Sequence, residues 1–210
     1  MGIGTQILVL RMTENPLKKK LENHKILLAS GSPRRKQFFE DLGIDFEIRL
    51  KPVEEVYPDK LQGAQISNYL AELKASAFDG SLKPNEILIT SDTVVWHNKE
   101  SLAKADTKQE ATEMLEKLSN GWHEVITSVC FTTFDSKKTV SASTKVKFSK
   151  LTTEEINFYT DKYQPFDKAG AYGIQEWLGA IAIESIEGSY NNVVGLPTHL
   201  VYKTLMNMVD

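Results

Sequence analysis

The sequence predicts a mixed α/β fold, a sheet with parallel and antiparallel parts flanked by helices, and three observations predict it. A strand, tight turn and helix succeed one another between residues 25 and 43. Several stretches carry apolar residues at helical spacing behind capping signals. Two β-branched, aromatic stretches, 125–134 and 139–148, face each other across Asp135-Ser136-Lys137-Lys138 in the manner of an antiparallel hairpin.

In chain order, Lys25 to Ser30 (KILLAS) is a short apolar strand, Gly31-Ser32 a turn, and Pro33 the first position of a helix capped by Ser32. Phe38, Phe39 and Leu42 form its apolar side and Gly43 stops it; Ile44 to Leu50 reads as a second strand. Ile66, Leu70, Leu73 and Ala77 line one helical face, ended by Asp79-Gly80. Ile87 to Trp96 is a buried strand interrupted by Asp92. Thr107 with Glu110, and Thr152 with Glu155, are capping-box patterns opening two more helices, the first closed by Asn120-Gly121. Gly170 to Gly179 reads as a glycine-punctuated loop, Ala180 to Ile186 as a strand, and Pro197 to Met208 as a terminal helix.

The 210 residues, 41% hydrophobic and 25% charged, suffice for one domain with a full core. We expect a single domain over 25–210, preceded by an extension, 1–24, that is partly helical or disordered. The single cysteine, Cys130, excludes an internal disulfide and a CxxC pair and fits a reducing, cytoplasmic compartment. A formal net charge of -3 gives no field to gather a nucleic-acid backbone, and no apolar run approaches the ~20 residues that span a bilayer. The partner expected is therefore small, with neither nucleic acid nor membrane. His24, His97, His123 and His199 show no ligand spacing, so no zinc is expected, and no P-loop or GxGxxG is present.

Four features point to chemistry. Arg34-Arg35 stand in the first turn of a helix, where the macrodipole disfavours cations by about 0.3–1 kcal/mol each. Free helix N–H groups and two forked guanidiniums would bind phosphate oxygens; pairing with Glu40 or Asp41 is the alternative. Asp92 lies in ILITSDTVVW, and an ionised carboxylate there needs a cation or a strong donor set, unless it caps the strand end facing solvent. Glu54-Glu55 could add a carboxylate or be surface. Lys74 and Lys104 could reach phosphate or be solvated.

Together the motifs LASGSPRR (28–35), the Glu54-Glu55 pair, the lysine of LAELKASAF, SDTVV (91–95), the lysine of LAKAD, DKAGAYGIQ (167–175) and EGSYNNVVGLP (187–197) resemble the Maf family of nucleotide pyrophosphatases, in order, along the chain from Ile26. The resemblance implies an elongated α/β fold like that of inosine triphosphate pyrophosphatases, with two lobes around a cleft. It implies Asp92 as proton acceptor, Ser32, Arg34, Arg35, Lys74 and Lys104 at phosphate-contacting positions, and Glu55 with Asp92 at a divalent cation, Mg²⁺ or else Mn²⁺. Arg34, Thr93 and Gln175 match the branch similar to dTTP and UTP pyrophosphatases, with CTP or modified pyrimidines in the same class. A homodimer is also implied. Ala103-Lys104-Ala105 stands where the family usually has Gly-Lys-Pro, which bears on the stiffness of that loop and the reach of Lys104; Ser91 replaces a usual alanine. The competing reading is a non-catalytic, nucleotide-binding regulator of septum formation.

Overall fold

The computed structural model describes residues 14–209. A central strand, β3 (Glu86–His97), organises a seven-stranded mixed sheet, with β1 (Lys25–Leu28) and β2 (Phe46–Ile48) parallel to each other and to β3, in the order β2-β1-β3. On its other side β3 runs antiparallel to β5 (Trp122–Thr132), followed outward by β6 (Lys137–Phe148) and β7 (Ile183–Glu187). The hairpin expected from the two β-branched stretches is the β5–β6 pair.

Consecutive residues Ile26, Leu27 and Leu28 are all buried because helices cover both faces of β1. Ile26 and Leu28 pack with Phe39 of α2 (Pro33–Asp41) and with Val201 and Leu205 of α8 (Thr198–Met208); Leu27 packs with Ala71 and Ala75 of α3 (Ala64–Ser76). The short α1 (Pro16–Lys20) joins the first of these cores through Leu17, while Asn15 Nδ2 donates to Leu42 O at 2.8 Å, closing the carboxyl end of α2. Gly43, at φ +65°, lets the chain turn there against Asn15.

One edge of β3 is interrupted. β1 pairs with it only as far as Ile89, and the short β4 (Glu100–Leu102) takes up the same edge from Val95. Between them residues 90–94 have no strand neighbour on that side, and the loop that follows β1 opens into the gap.

Three elements differ from the sequence expectations. The second strand is only Phe46–Ile48. At α4 (Lys108–Leu118) Thr107 Oγ1 caps Glu110 N at 3.2 Å, but the Glu110 carboxylate accepts from Asp106 N at 2.8 Å, so half a capping box forms; the box ahead of α5 (Thr153–Tyr163) is complete. The strand expected from Ala180 begins as a helix, α6 (Trp177–Ala182), and becomes β7 only at Ile183. Alternation would have buried Ala180 together with Leu178 and Ala182; helical spacing buries the latter two and leaves Ala180 in solvent. A further short helix, α7 (Tyr190–Val194), precedes α8.

His123 sits in an aromatic trio, edge-on to Phe148 and Tyr172, with Nε2 at 2.8 Å from the Tyr172 hydroxyl. Burial pushes its pKa down to about 3, helped by nearby His97. A histidine depressed in the fold binds its proton first in the unfolded chain, so stability is expected to fall as pH drops below about 6.5 and to keep falling to about 3. The loss amounts to roughly 2 kcal/mol between pH 7 and pH 5. Urea unfolding at both values checks this, and His123→Gln should flatten the slope.

Candidate active site

The cleft forms where β1 stops and β3 continues. Ser32 Oγ caps α2 by accepting Arg35 N at 3.4 Å, and its own N–H reaches Ser30 Oγ at 3.2 Å, so the turn before the helix is tied to itself. This places Arg34 and Arg35 at the mouth of the β3 gap.

The two arginines have different situations. Arg35 lies across the gap: Nε donates to Gly195 O at 3.0 Å, Nη1 to Ser91 O at 3.1 Å, and Nη2 to Thr93 Oγ1 at 3.1 Å. Burial lowers its pKa from the ordinary arginine value, while Asp92 pulls it back up. Most of its fork is thus committed to joining α2, β3 and the turn after α7. Among the described residues Arg34 has one ion-pair contact, Nη1 to Asp167 Oδ2 at 3.5 Å, and is the freer of the two. Arg35→Lys should cost about 2 kcal/mol, because an ammonium cannot span three acceptors and leaves buried carbonyl groups unpaired. Chemical denaturation measures it.

Asp92 projects from β3 on the face toward α3, where it is only 7% exposed. Its Oδ1 receives Lys74 Nζ at 2.7 Å, and the same ammonium lies 3.1 Å from Glu55 Oε1. Burial raises the Asp92 pKa above the ordinary aspartate value; Lys74, and after it Arg35, act against that rise. The strong donor that the sequence required for an aspartate in this strand is therefore Lys74. Glu54 is exposed and does not line the cleft.

The opposite wall comes from the chain around residues 102–106 and 167–176. Lys104 makes an isolated antiparallel bridge with Ala169, and Gly170 N donates to both Leu102 O (2.9 Å) and Ala103 O (3.2 Å). The Ala103-Lys104-Ala105 loop is stiffened by this stitching, and the Lys104 side chain stands exposed at the cleft. Gln175 also lines it, exposed. Thr93 is turned toward Arg35 and toward Thr127 Oγ1 at 3.0 Å. Ser32, Arg34, Arg35, Glu55, Lys74, Asp92, Thr93, Lys104 and Gln175 all border one cavity of about 1040 Å³, just above the roughly 300–1,000 Å³ usual for ligand pockets.

Sequence reasoning gives no role to Asp167, Lys168, Glu176 or Tyr159. Lys168 Nζ pairs with Asp167 Oδ1 at 2.7 Å and Glu176 Oε1 at 2.9 Å. The Tyr159 hydroxyl donates to Glu176 Oε2 and accepts from Gly173 N at 3.0 Å. Burial pushes Asp167 up, but Lys168 outweighs it and holds the carboxyl below its ordinary value. The only signal for this group in the sequence is the charged pair Asp167-Lys168 at the head of a glycine-rich loop.

Two carboxylates converging on one cation suit a divalent ion. Among the described residues no group of three or more His, Cys, Asp or Glu could hold a metal. Mg²⁺, however, commonly takes one or two carboxylates and completes its shell with water and substrate phosphate. Asp92 and Glu55, drawn together on Lys74, fit that donor set.

A family model described as Maf-like protein matches residues 25–208, a span that contains every residue of the cleft. The chain belongs to the Maf-like family. Among the relatives of this Maf-like protein, a chain named dTTP/UTP pyrophosphatase from Flavobacterium johnsoniae is 56% identical over 193 residues, covering 92% of this chain and 100% of the relative. One of the same name from Flavobacterium psychrophilum is 58% identical over 191 residues, 91% and 98% of the two chains. Christiangramia forsetii has another at 52% identity over 194 residues, 92% and 99%. The solved Ham1 protein of Staphylococcus aureus overlaps 59% of the Maf-like chain and 71% of its own at 17% identity and a TM-score of 0.42, an overlap that bears on nothing chemical.

Proposed function

We propose that the chain is a nucleoside triphosphate pyrophosphatase that hydrolyses dTTP or UTP to the monophosphate and pyrophosphate. The observation that carries this reading is Asp92, a buried carboxylate of raised pKa held at the cleft by Lys74, within a site otherwise supplied with cationic side chains. Among the described residues only its Oδ1 carries a hydrogen bond, which leaves Oδ2 for a water molecule.

In the reaction the water oxygen attacks the α-phosphorus and its proton passes to Asp92, while the bond from that phosphorus to the bridging oxygen breaks and pyrophosphate leaves with the electron pair. A base of raised pKa is closer to neutrality and so better matched to this transfer. Arg34, Lys74 and Lys104 stand where charge on the phosphates must be offset, the term that dominates phosphoryl transfer. Arg35 contributes by holding the α2 turn to β3, and Ser32 by capping it. Asp92 and Glu55 would hold Mg²⁺, or Mn²⁺ in its place, whose chemistry when bound is to neutralise phosphate oxygens and polarise them. Gln175 carries both a donor and an acceptor and could read a uracil or thymine edge, with Arg34 and Thr93 alongside.

The compartment consistent with this activity is the cytoplasm: Cys130 is a free, buried thiol, and among the described residues no helix is long and apolar enough to cross a membrane. The test is pyrophosphate release from dTTP, UTP, CTP, GTP and 7-methyl-GTP with Mg²⁺. Release from dTTP or UTP ahead of the others supports the reading. Binding of nucleotide without release from any would overturn it in favour of a regulator.

A further inference from the structure

Gln175 is exposed at the cleft, and an exposed glutamine on a loop discriminates poorly between bases unless its backbone is held. The loop carrying it is under strain at Ala171, a non-glycine residue in the left-handed region (φ +54°). Something must hold it in place.

Three side chains do so. Residues 173–176 close into a turn through Glu176 N to Gly173 O at 3.0 Å. Both ends of that turn are fastened to one buried hydroxyl, Tyr159 of α5, which accepts from Gly173 N and donates to Glu176 Oε2. The other oxygen of Glu176 is taken by Lys168, which is paired in turn with Asp167, and Asp167 with Arg34. The chain of contacts thus runs from α5, through the turn, to the freer arginine of α2. Gly173 fits this design: a Cβ there would lie 2.8 Å from Glu176 Cδ and 3.1 Å from Lys168 Cε, so any larger residue would push the ends of these two side chains from where they now meet. Its φ is not in the left-handed region, so the effect is one of space and not of conformation.

We propose that Glu176 is a positioning residue for substrate selection: with Tyr159 and Lys168 it clamps the 173–176 turn and so fixes Gln175 against the nucleobase. The proposal rests on the dTTP/UTP pyrophosphatase reading above. Glu176 touches no reacting atom, so the clamp governs which nucleotide is held and leaves the phosphoanhydride chemistry to Asp92.

Glu176→Ala should raise KM for dTTP and UTP about tenfold and cut the preference for them over GTP by a similar factor, with kcat within about threefold of the parent. Glu176→Gln keeps an acceptor for Tyr159 and should recover most of the selectivity. Tyr159→Phe should reproduce the KM effect, and the double variant with Glu176→Ala should be less than additive. Amide hydrogen exchange of the nucleotide-free protein supplies a readout independent of activity: the Gly173 N–H should exchange at least about tenfold faster in Glu176→Ala. Unchanged KM ratios, an unchanged exchange rate, or a fall in kcat at constant KM would each overturn the clamp. Failure of the parent protein to release pyrophosphate from any nucleotide would instead overturn the underlying reading, and the exchange result would still decide whether the turn is held by Glu176.

Discussion

Asp92→Asn is expected to lower kcat for pyrophosphate release by about 10²–10⁴-fold, the range usual for loss of a general base. The amide has almost the same shape, so the Lys74 contact and the β3 pairing should persist. What disappears is the capacity to take a proton and the negative charge facing a divalent ion. Burial raises the Asp92 pKa, but the ionised carboxylate is also the nearest partner of the Lys74 ammonium. Glu55 remains to pair that ammonium in the variant, which should fold and can be assayed at the parent's temperature. Loss of turnover with unchanged or higher Tm assigns the effect to chemistry; a lower Tm alongside lost turnover would point to damage at the Lys74–Glu55 cluster. On the acid side, kcat/KM should fall off at a pH above the ordinary aspartate range, in keeping with the direction of the shift.

The second large effect is structural. Gly179 lies inside α6, and a Cβ on it would stand 1.9 Å from the carbonyl oxygen of Ile174 and 2.5 Å from its carbonyl carbon. Backbone cannot rotate away as a side-chain tip can. Gly179→Ala must push α6 off Ile174, which withdraws Leu178 from the core and disturbs the start of β7. We expect a loss of at least about 3 kcal/mol, beyond the usual range for overpacking at side chains. For a chain of this size that lowers Tm by about 6–12 °C. Gly80→Ala makes the contrast: no atom lies within 4 Å of its Cβ, so only the left-handed backbone, φ +70°, resists it, at roughly 1 kcal/mol. Thermal melts of the two variants side by side separate contact from conformation.

The part of the molecule legible in the sequence is the part governed by short-range pattern. KILLAS, the Pro33 helix and the β5–β6 hairpin each announce themselves through periodicity and turn residues within a short stretch of chain. Asp92 and Arg34-Arg35 stand out because each breaks a local rule, a charge in an apolar strand and cations at the wrong end of a helix. Their partners are less accessible. Lys74 lies 18 positions from Asp92, and nothing in the spacing says that α3 will bring it within 2.7 Å. The family resemblance puts Arg35 at phosphate, whereas most of its donors face Gly195, Ser91 and Thr93, acceptors that only the folded chain collects. The network from Tyr159 to Glu176 and Lys168 is invisible in the sequence for the same reason. The α6–β7 junction defeats pattern reading because Leu178 and Ala182 share a face in either conformation, and only the exposure of Ala180 tells the two apart.

The interrupted edge of β3 bears on solubility as well as on the site. Unpaired strand backbone ordinarily recruits other strands, and proteins guard against it at the rims of their sheets. Here the vacancy is internal, bounded by β1 on one side and β4 on the other, and a guanidinium already occupies the carbonyl of Ser91. A foreign strand would need a straight run of free backbone and meets instead a short, charged notch. The chain can thus keep an opening in the middle of its sheet without acquiring an adhesive edge.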